Sequence, residues 1–301
     1  MNSIIKNKKN NSRLAYLSIA ILMLSIIGCV EDVSDVNLPS VEPKLVVSSF
    51  ISPNDTIKVK VSKSQPLNYN QIITNWYDDR FQPVTNALVT IINVETEQMS
   101  TIPYYPELGY YMLAPSEFSI EQGKEYQLTA GADSFKPVTA RTTVPANLPS
   151  LVSYKIDTLG TYSYEYGGDY YDIRFSGSIQ DIAGEDNFYT IGISFWESYY
   201  SEWDDTTYYY SYYYGGNSFT DSEKDGEILS FKSDITISNW SSITLNILST
   251  DENYYHYHKS FYNWESENPF SEPSPIYSNI DGGLGIFCSY TSTTINLDEN
   301  P

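Results

Sequence analysis

The sequence predicts a mainly β protein, with a small antiparallel sandwich followed by a second β-rich domain that carries one short helix. Three observations point there. Apolar and polar residues alternate at period two in short runs, as in Ile57-Lys58-Val59-Lys60-Val61, which is the rhythm of a half-buried strand. Turn-forming residues such as Gly109, Gly123 and Gly131 separate these runs. A helical rhythm is clear in one place, where Tyr254, Tyr257, Phe261 and Trp264 recur at i, i+3, i+7 and i+10.

The chain opens on a targeting segment. Lys6, Lys8, Lys9 and Arg13 lead into an apolar run from Leu14 to Ile27, which is short for a transmembrane helix of roughly 20 apolar residues. The run ends Ile26-Ile27-Gly28-Cys29, which resembles a bacterial lipobox, a small residue ahead of a cysteine that is diacylated, freed by cleavage and then N-acylated. Residues 1–28 are therefore expected to be a lipoprotein signal peptide, with Cys29 as the lipidation site. Each buried acyl CH₂ would contribute about 0.8 kcal/mol of membrane affinity. The competing reading is an uncleaved anchor helix. Residues 29–43 are acidic, punctuated by Pro39 and Pro43, and read as an extended tether. Acidic residues directly behind the cysteine resemble a surface-export signal; an ordinary solvated linker is the alternative.

Strand rhythm begins at Lys44. Leu45-Val46-Val47 opens it, and 57–61, 87–94, 125–130 and 138–144 continue it, giving a sandwich over residues 44–146. Asn86-Ala87-Leu88-Val89-Thr90-Ile91 and Gly123-Lys124-Glu125-Tyr126-Gln127-Leu128 resemble immunoglobulin-like or transthyretin-like modules. Residues Asn68–Pro83 break the alternation and read as a long loop. Pro145 and Pro149 disfavour helix and central strand alike, so the domain boundary falls there. In the second domain, residues 150–301, strands are expected at 170–175, 189–195, 228–231 and 243–248. Ser249-Thr250-Asp251-Glu252 reads as a capping box, Ser249 as N-cap and Glu252 at N3, opening a helix near 250–265 that Asn268-Pro269 ends.

Composition excludes several functions. The net charge is −21, and four of the 17 basic residues lie before Cys29, so the mature chain sets 13 basic against 38 acidic side chains. Such a surface argues against nucleic acid and against adhesion to anionic lipid. Cys29 and Cys288 are the two cysteines, which leaves no disulfide framework once the first is lipidated; Cys288, in an apolar run, reads as a buried inert thiol. His256 and His258 are the two histidines, and on a helix residues two apart diverge by about 200°, which argues against a shared metal. Asp221 to Gly226 partly imitates a calcium loop, but Glu223 takes its third position and Lys232 its twelfth. Gly282-Gly283-Leu284-Gly285 lacks the Lys-Ser/Thr of a phosphate loop, and no nucleophile elbow occurs. No cofactor, metal or catalytic residue is expected, and the protein is read as a non-enzyme.

Tyrosine is the outlier, at 29 residues. Its densest run lies between Tyr199 and Tyr214. Consecutive tyrosines point to both faces of a strand, which suits a projecting hairpin better than a core stripe. Tyr199, Tyr200, Trp203, Tyr208, Tyr209, Tyr210, Tyr212, Tyr213 and Tyr214 are therefore the candidate binding residues, since aromatic surfaces serve at protein interfaces and sugar sites. A self-packed hairpin is the bland alternative.

Two segments carry a family resemblance. Gln180-Asp181-Ile182-Ala183-Gly184-Glu185-Asp186-Asn187-Phe188-Tyr189 resembles a "D-x-A-G-x-x-N-Y-Y" turn. Residues Asn268 to Phe287 resemble a closing "N-P-F-S-x-P-x-x-x-x-S-N-I-x-G-G-x-G-x-F". Both are similar to a domain-of-unknown-function family of Bacteroidota outer-membrane lipoproteins often encoded beside TonB-dependent receptors. The family has no assigned catalytic residues. The resemblance implies a lipid-anchored outer-membrane protein, exposed at the cell surface, acting as accessory or binding component of a TonB-dependent nutrient uptake system with its receptor as partner. The alternatives are a stand-alone surface binder of glycan or peptide and a secreted hydrolase using acidic residues.

Overall fold

The computed structural model describes residues 42–64, 83–164, 168–201, 203–214, 218–237, 240–264 and 275–297. The expected signal peptide, Cys29, the tether through residue 41, the loop from Asn68 through residue 82 and Asn268-Pro269 lie outside the described residues. The described chain is mainly β, with three sheets and one helix.

In chain order the strands are β1 (Leu45–Ile51), β2 (Ile57–Lys63), β3 (Leu88–Asn93), β4 (Met99–Ile102), β5 (Tyr104–Tyr105), β6 (Tyr110–Leu113), β7 (Glu125–Gly131), β8 (Val138–Thr143), β9 (Ser150–Tyr164), β10 (Gly168–Gln180), β11 (Phe188–Ser201), β12 (Thr206–Tyr214), β13 (Ser218–Thr220), β14 (Ile228–Ile237), β15 (Trp240–Thr250) and β16 (Leu284–Leu297). Helix α1 (Glu252–Trp264) separates β15 from β16. A nine-stranded sheet runs β12-β11-β15-β16-β1-β2-β6-β5, with β13 also on β11; a four-stranded sheet runs β4-β3-β7-β8 and a three-stranded one β14-β10-β9.

Period-two alternation decides what each strand buries. In β1, Leu45, Val47, Ser49 and Ile51 are buried, and Phe50 points to the other face. The first core joins β1, β2 and β6 to the four-stranded sheet through Val47, Val59, Ile91, Tyr111, Tyr126 and Leu128. The second joins β11 and β15 to the three-stranded sheet through Phe175, Ile193, Phe195, Phe231, Leu245 and Ile247. A third, on the opposite face of the large sheet, packs Tyr254 and Tyr257 of α1 against Phe50, Leu248, Ile286 and Cys288. Burial there pushes the Cys288 thiol well above its ordinary value.

Pro145 and Pro149 fall between β8 and β9, and one sheet nevertheless takes strands from both sides of them. The reason is the parallel pairing of β1 with β16, from Val46↔Leu284 to Ile51↔Ser289. Glycines make that approach possible. Gly285 has φ +110°, and a Cβ there would collide with the Val47 carbonyl; a Cβ at Gly283 would lie 2.7 Å from the Leu45 oxygen. Asn279, ahead of them, acts as a one-residue strand: its Oδ1 accepts from the Phe287 amide at 2.9 Å and its Nδ2 donates to the Phe287 carbonyl at 2.6 Å. The closing motif is thus the hardware of chain closure.

The helix begins where its rhythm predicts, but its cap is not Ser249. Ser249 and Thr250 are still paired in β15, opposite Thr291 and Tyr290. Asp251 is the N-cap, accepting from the Tyr254 amide at 2.9 Å. The sheet claims the serine because its ladder continues to Thr250. Asp251 also accepts from the Thr142 hydroxyl at 2.5 Å and Asn253 Nδ2 at 2.9 Å, and so ties β8 to α1. Burial raises its carboxyl above the ordinary range against the pull of these donors.

Three outcomes are expected. Gly285→Ala should cost more than about 4 kcal/mol, or abolish soluble expression, because it combines left-handed strain with a backbone collision. Gly109→Ala, at φ +71° with nothing near the new Cβ, should cost only about 1 kcal/mol; urea midpoints measure both. For Asp251, the raised value means that the native state holds the proton more tightly than the unfolded chain. Its contribution is full below the unfolded carboxyl range and lost as pH rises through the native value. The Asp251→Asn variant should therefore gain in melting temperature relative to the parent as pH rises above the ordinary carboxyl range of about 4, whatever its constant offset.

Candidate functional site

The tyrosine run forms a β-hairpin. Strand β12 pairs antiparallel with β11 from Ile193↔Tyr214 to Ser201↔Thr206, with Tyr199 opposite Tyr208. Asp204 and Asp205 sit in its turn, Asp205 at φ 50°. The Tyr200 hydroxyl donates to Asp205 at 2.5 Å and the Tyr208 hydroxyl to Asp204. Hydroxyls of Ser201 and Tyr208 hold the Asp204 carboxyl below the usual range. The turn is therefore stitched by its own phenols. Trp203 at the tip is 99% exposed and Tyr209 68%, so the sequence-predicted surface presents rings to solvent.

Alternation sorts the hairpin into two faces. Tyr208, Tyr210 and Tyr212 follow the face of Phe195, with Tyr212 stacked on that buried ring at 5.3 Å. Tyr209 and Tyr213 share the other face with Trp196 and Tyr200. Tyr213 lies across β11 where Gly192 has no side chain, and a Cβ there would collide with its ring. The described candidate rings on the two strands thus fall into two sets, with Trp203 at the tip, and Tyr212 and Tyr213 are anchored at the hairpin base.

The face of Tyr213 continues into a two-lobed groove over the large sheet. One lobe, about 540 Å³, lies over β1, β2 and β6 and is lined by Ser48, Asp55, Lys58, Lys60, Tyr110 and Met112. The other, about 370 Å³, lies over β15, β16 and β12 and is lined by Tyr213, Asn246, Tyr254, His258 and Ser292. Phe50 and Tyr290 line both. Sequence reading missed this groove because its residues come from six strands and one helix, with no spacing to betray them.

The histidines take separate environments. His256 Nε2 lies 3.1 Å from Glu252 Oε1, and its ring faces Tyr277 and Phe188. His258 stacks on Tyr254 at 4.1 Å, and its Nδ1 lies 2.9 Å from the Tyr254 carbonyl. A carbonyl only accepts, so Nδ1 carries the proton and Nε2 is left as an acceptor. Burial lowers the imidazole's proton affinity, keeping it neutral at pH 7.

The acidic stretch after β13 also gains partners that spacing could not reveal. Carboxylate oxygens of Asp181, Asp221 and Asp225 lie within 4.8 Å of one another. Donors converge on them: the Tyr189 hydroxyl at 2.6 Å and the Gly226 amide at 2.7 Å on Asp181, the Asn187 amide at 3.0 Å on Asp221, and the Gly184 amide at 2.7 Å on Asp225. This arrangement locks two turns together, and it pushes the Tyr189 phenol far above its ordinary value, first by burial and then by its bond to Asp181.

No curated protein matches the chain. The turn locked by Asp181 and Asn187 and the closure at Asn279 to Gly285 both fall within residues 31–296, which match a domain of unknown function, DUF4249, and the chain belongs to that family.

Proposed function

We propose that this protein is a lipid-anchored lipoprotein of the Bacteroidota outer membrane, exposed at the cell surface. It serves there as a non-enzymatic accessory or binding component of a TonB-dependent nutrient uptake system. The observation that carries the reading is the β11–β12 hairpin. It ends in an exposed tryptophan, its rings crowd both faces, and β12 is an edge strand of the large sheet. Exposed aromatic anchors of this kind are what protein interfaces bury, each worth on the order of 2 kcal/mol with unequal shares. The lipobox-like Gly28-Cys29 and the acidic residues behind it support the anchoring. For the N-terminal part we propose an immunoglobulin-like or transthyretin-like sandwich. The four-stranded sheet packed on β1, β2 and β6 supports that reading. A second reading, a stand-alone binder of glycan or peptide, draws support from the groove, which needs no receptor to be occupied.

Two experiments test the proposal. Trp203→Ser with Tyr209→Ser and Tyr210→Ser should cut co-purification of an outer-membrane receptor from detergent extracts at least tenfold and barely move the melting temperature. Tyr212 and Tyr213 are left intact because they pack at the base. A large fall in melting temperature with capture per folded molecule unchanged would place these rings in structure and not in recognition. Separately, Cys29→Ser should abolish acyl labelling and leave the protein unprocessed at this site, or release it if another peptidase cuts; unchanged labelling and membrane retention would refute lipidation at Cys29.

A further inference from the structure

We propose that the two-lobed groove across the large sheet binds an acidic oligosaccharide, with Phe50, Tyr290 and Tyr213 as stacking platforms and Lys58 and Lys60 as the anion-recognising pair. The inference rests on the reading of the protein as a binding component, and it does not depend on which receptor the hairpin meets.

The floor of the groove decides how a ligand is held. The groove lies on a face of the sheet, and strand N–H and C=O groups point within the sheet toward neighbouring strands and not out of that face. An extended peptide cannot add to this surface as a strand, and recognition falls to side chains. Those side chains alternate rings with small polar groups. Phe50 and Tyr290 line both lobes, Tyr213 lines the second, and Ser48, Ser292 and His258 add polar groups beside them. Asn246 contributes shape more than recognition, because its amide is already shared between Ser194 and Thr294. Such a lining fits a molecule whose own surface alternates apolar ring faces with hydroxyls. The lining comes from β6, β2, β1, β16, β15 and β12, so the two lobes together extend over several strand spacings of about 4.8 Å, which suits an oligomer better than one sugar.

Charge selects the class further. Lys58 and Lys60 stand two residues apart on one strand and line the same lobe, with Asp55 the one acidic residue lining it. Lys58 has no ion-pair partner among the described residues. In a chain of net charge −21 a locally cationic hollow stands out, and it draws a carboxylated or sulfated sugar where the rest of the surface repels one.

The test is binding of the full-length protein to an immobilised panel of galacturonate, glucuronate-containing and sulfated oligosaccharides, with neutral maltose and cellulose oligomers and a tetraglutamate peptide as comparators. At least one acidic oligosaccharide should bind, more weakly as salt rises. Tyr290→Ala should weaken that binding at least tenfold, and Lys58→Ala with Lys60→Ala about fivefold or more. Because Tyr290 is half-buried, Ser292→Trp is the second variant: it fills the second lobe from an exposed position and should block binding without loss of fold. The Trp203, Tyr209 and Tyr210 variant should bind the sugar as the parent does, so that failure of the receptor reading and failure of this one appear separately. Binding to no acidic sugar, equal binding of neutral oligomers, preference for the peptide, or binding untouched by Ser292→Trp would each overturn the proposal.

Discussion

The parallel pairing of β1 with β16 is the contact on which the rest of the molecule depends. It is the one parallel ladder among the described strands, and it joins the first of them to the last. Parallel strands need a long crossover, and here the crossover is nearly the whole protein. Closing so large a loop costs entropy that must be recovered by contacts made on arrival. The sequence meets that demand with a compact device. Asn279 supplies side-chain hydrogen bonds to Phe287 where no strand is available, and Gly283 and Gly285 let the incoming backbone approach Leu45 and Val47.

That closure has consequences on both faces. On one face it lets the four-stranded and three-stranded sheets cover the same large sheet, so that two cores share a wall. On the other, α1 covers the centre, held through Asp251 to Thr142 and through Tyr277 to Asn253. What α1 does not cover is the groove. Its floor is a sheet face, where backbone groups lie in the plane of the sheet and side chains alone meet the solvent.

The aromatic hairpin follows from the same alternation. A run of tyrosines cannot be buried on one face of a strand, so its rings alternate between the core side and the groove side. Tyr212 ends against Phe195 and Tyr213 over Gly192, while Tyr209 and Trp203 remain exposed to solvent. The division between packed and exposed rings thus runs through the middle of a segment that looks uniform in the sequence.

Local rules were enough for much of this protein. Period-two alternation located β1, β2 and the cores of β10, β11, β14 and β15, because each strand's burial pattern is a property of its own residues. The helical rhythm of Tyr254 and Tyr257 placed α1, and the density of phenols marked the hairpin. Ser249 misled because its competing use, a ladder place opposite Thr291, belongs to a strand some forty residues away. Gly285 could be seen as turn-forming but not as indispensable, since the Val47 carbonyl that excludes a Cβ there is more than two hundred residues distant in the chain. The groove and the Asp181, Asp221 and Asp225 cluster were invisible for the same reason. Side-chain type and spacing determine which face a residue takes in its own strand; only the pairing of distant strands decides which other residues share that face.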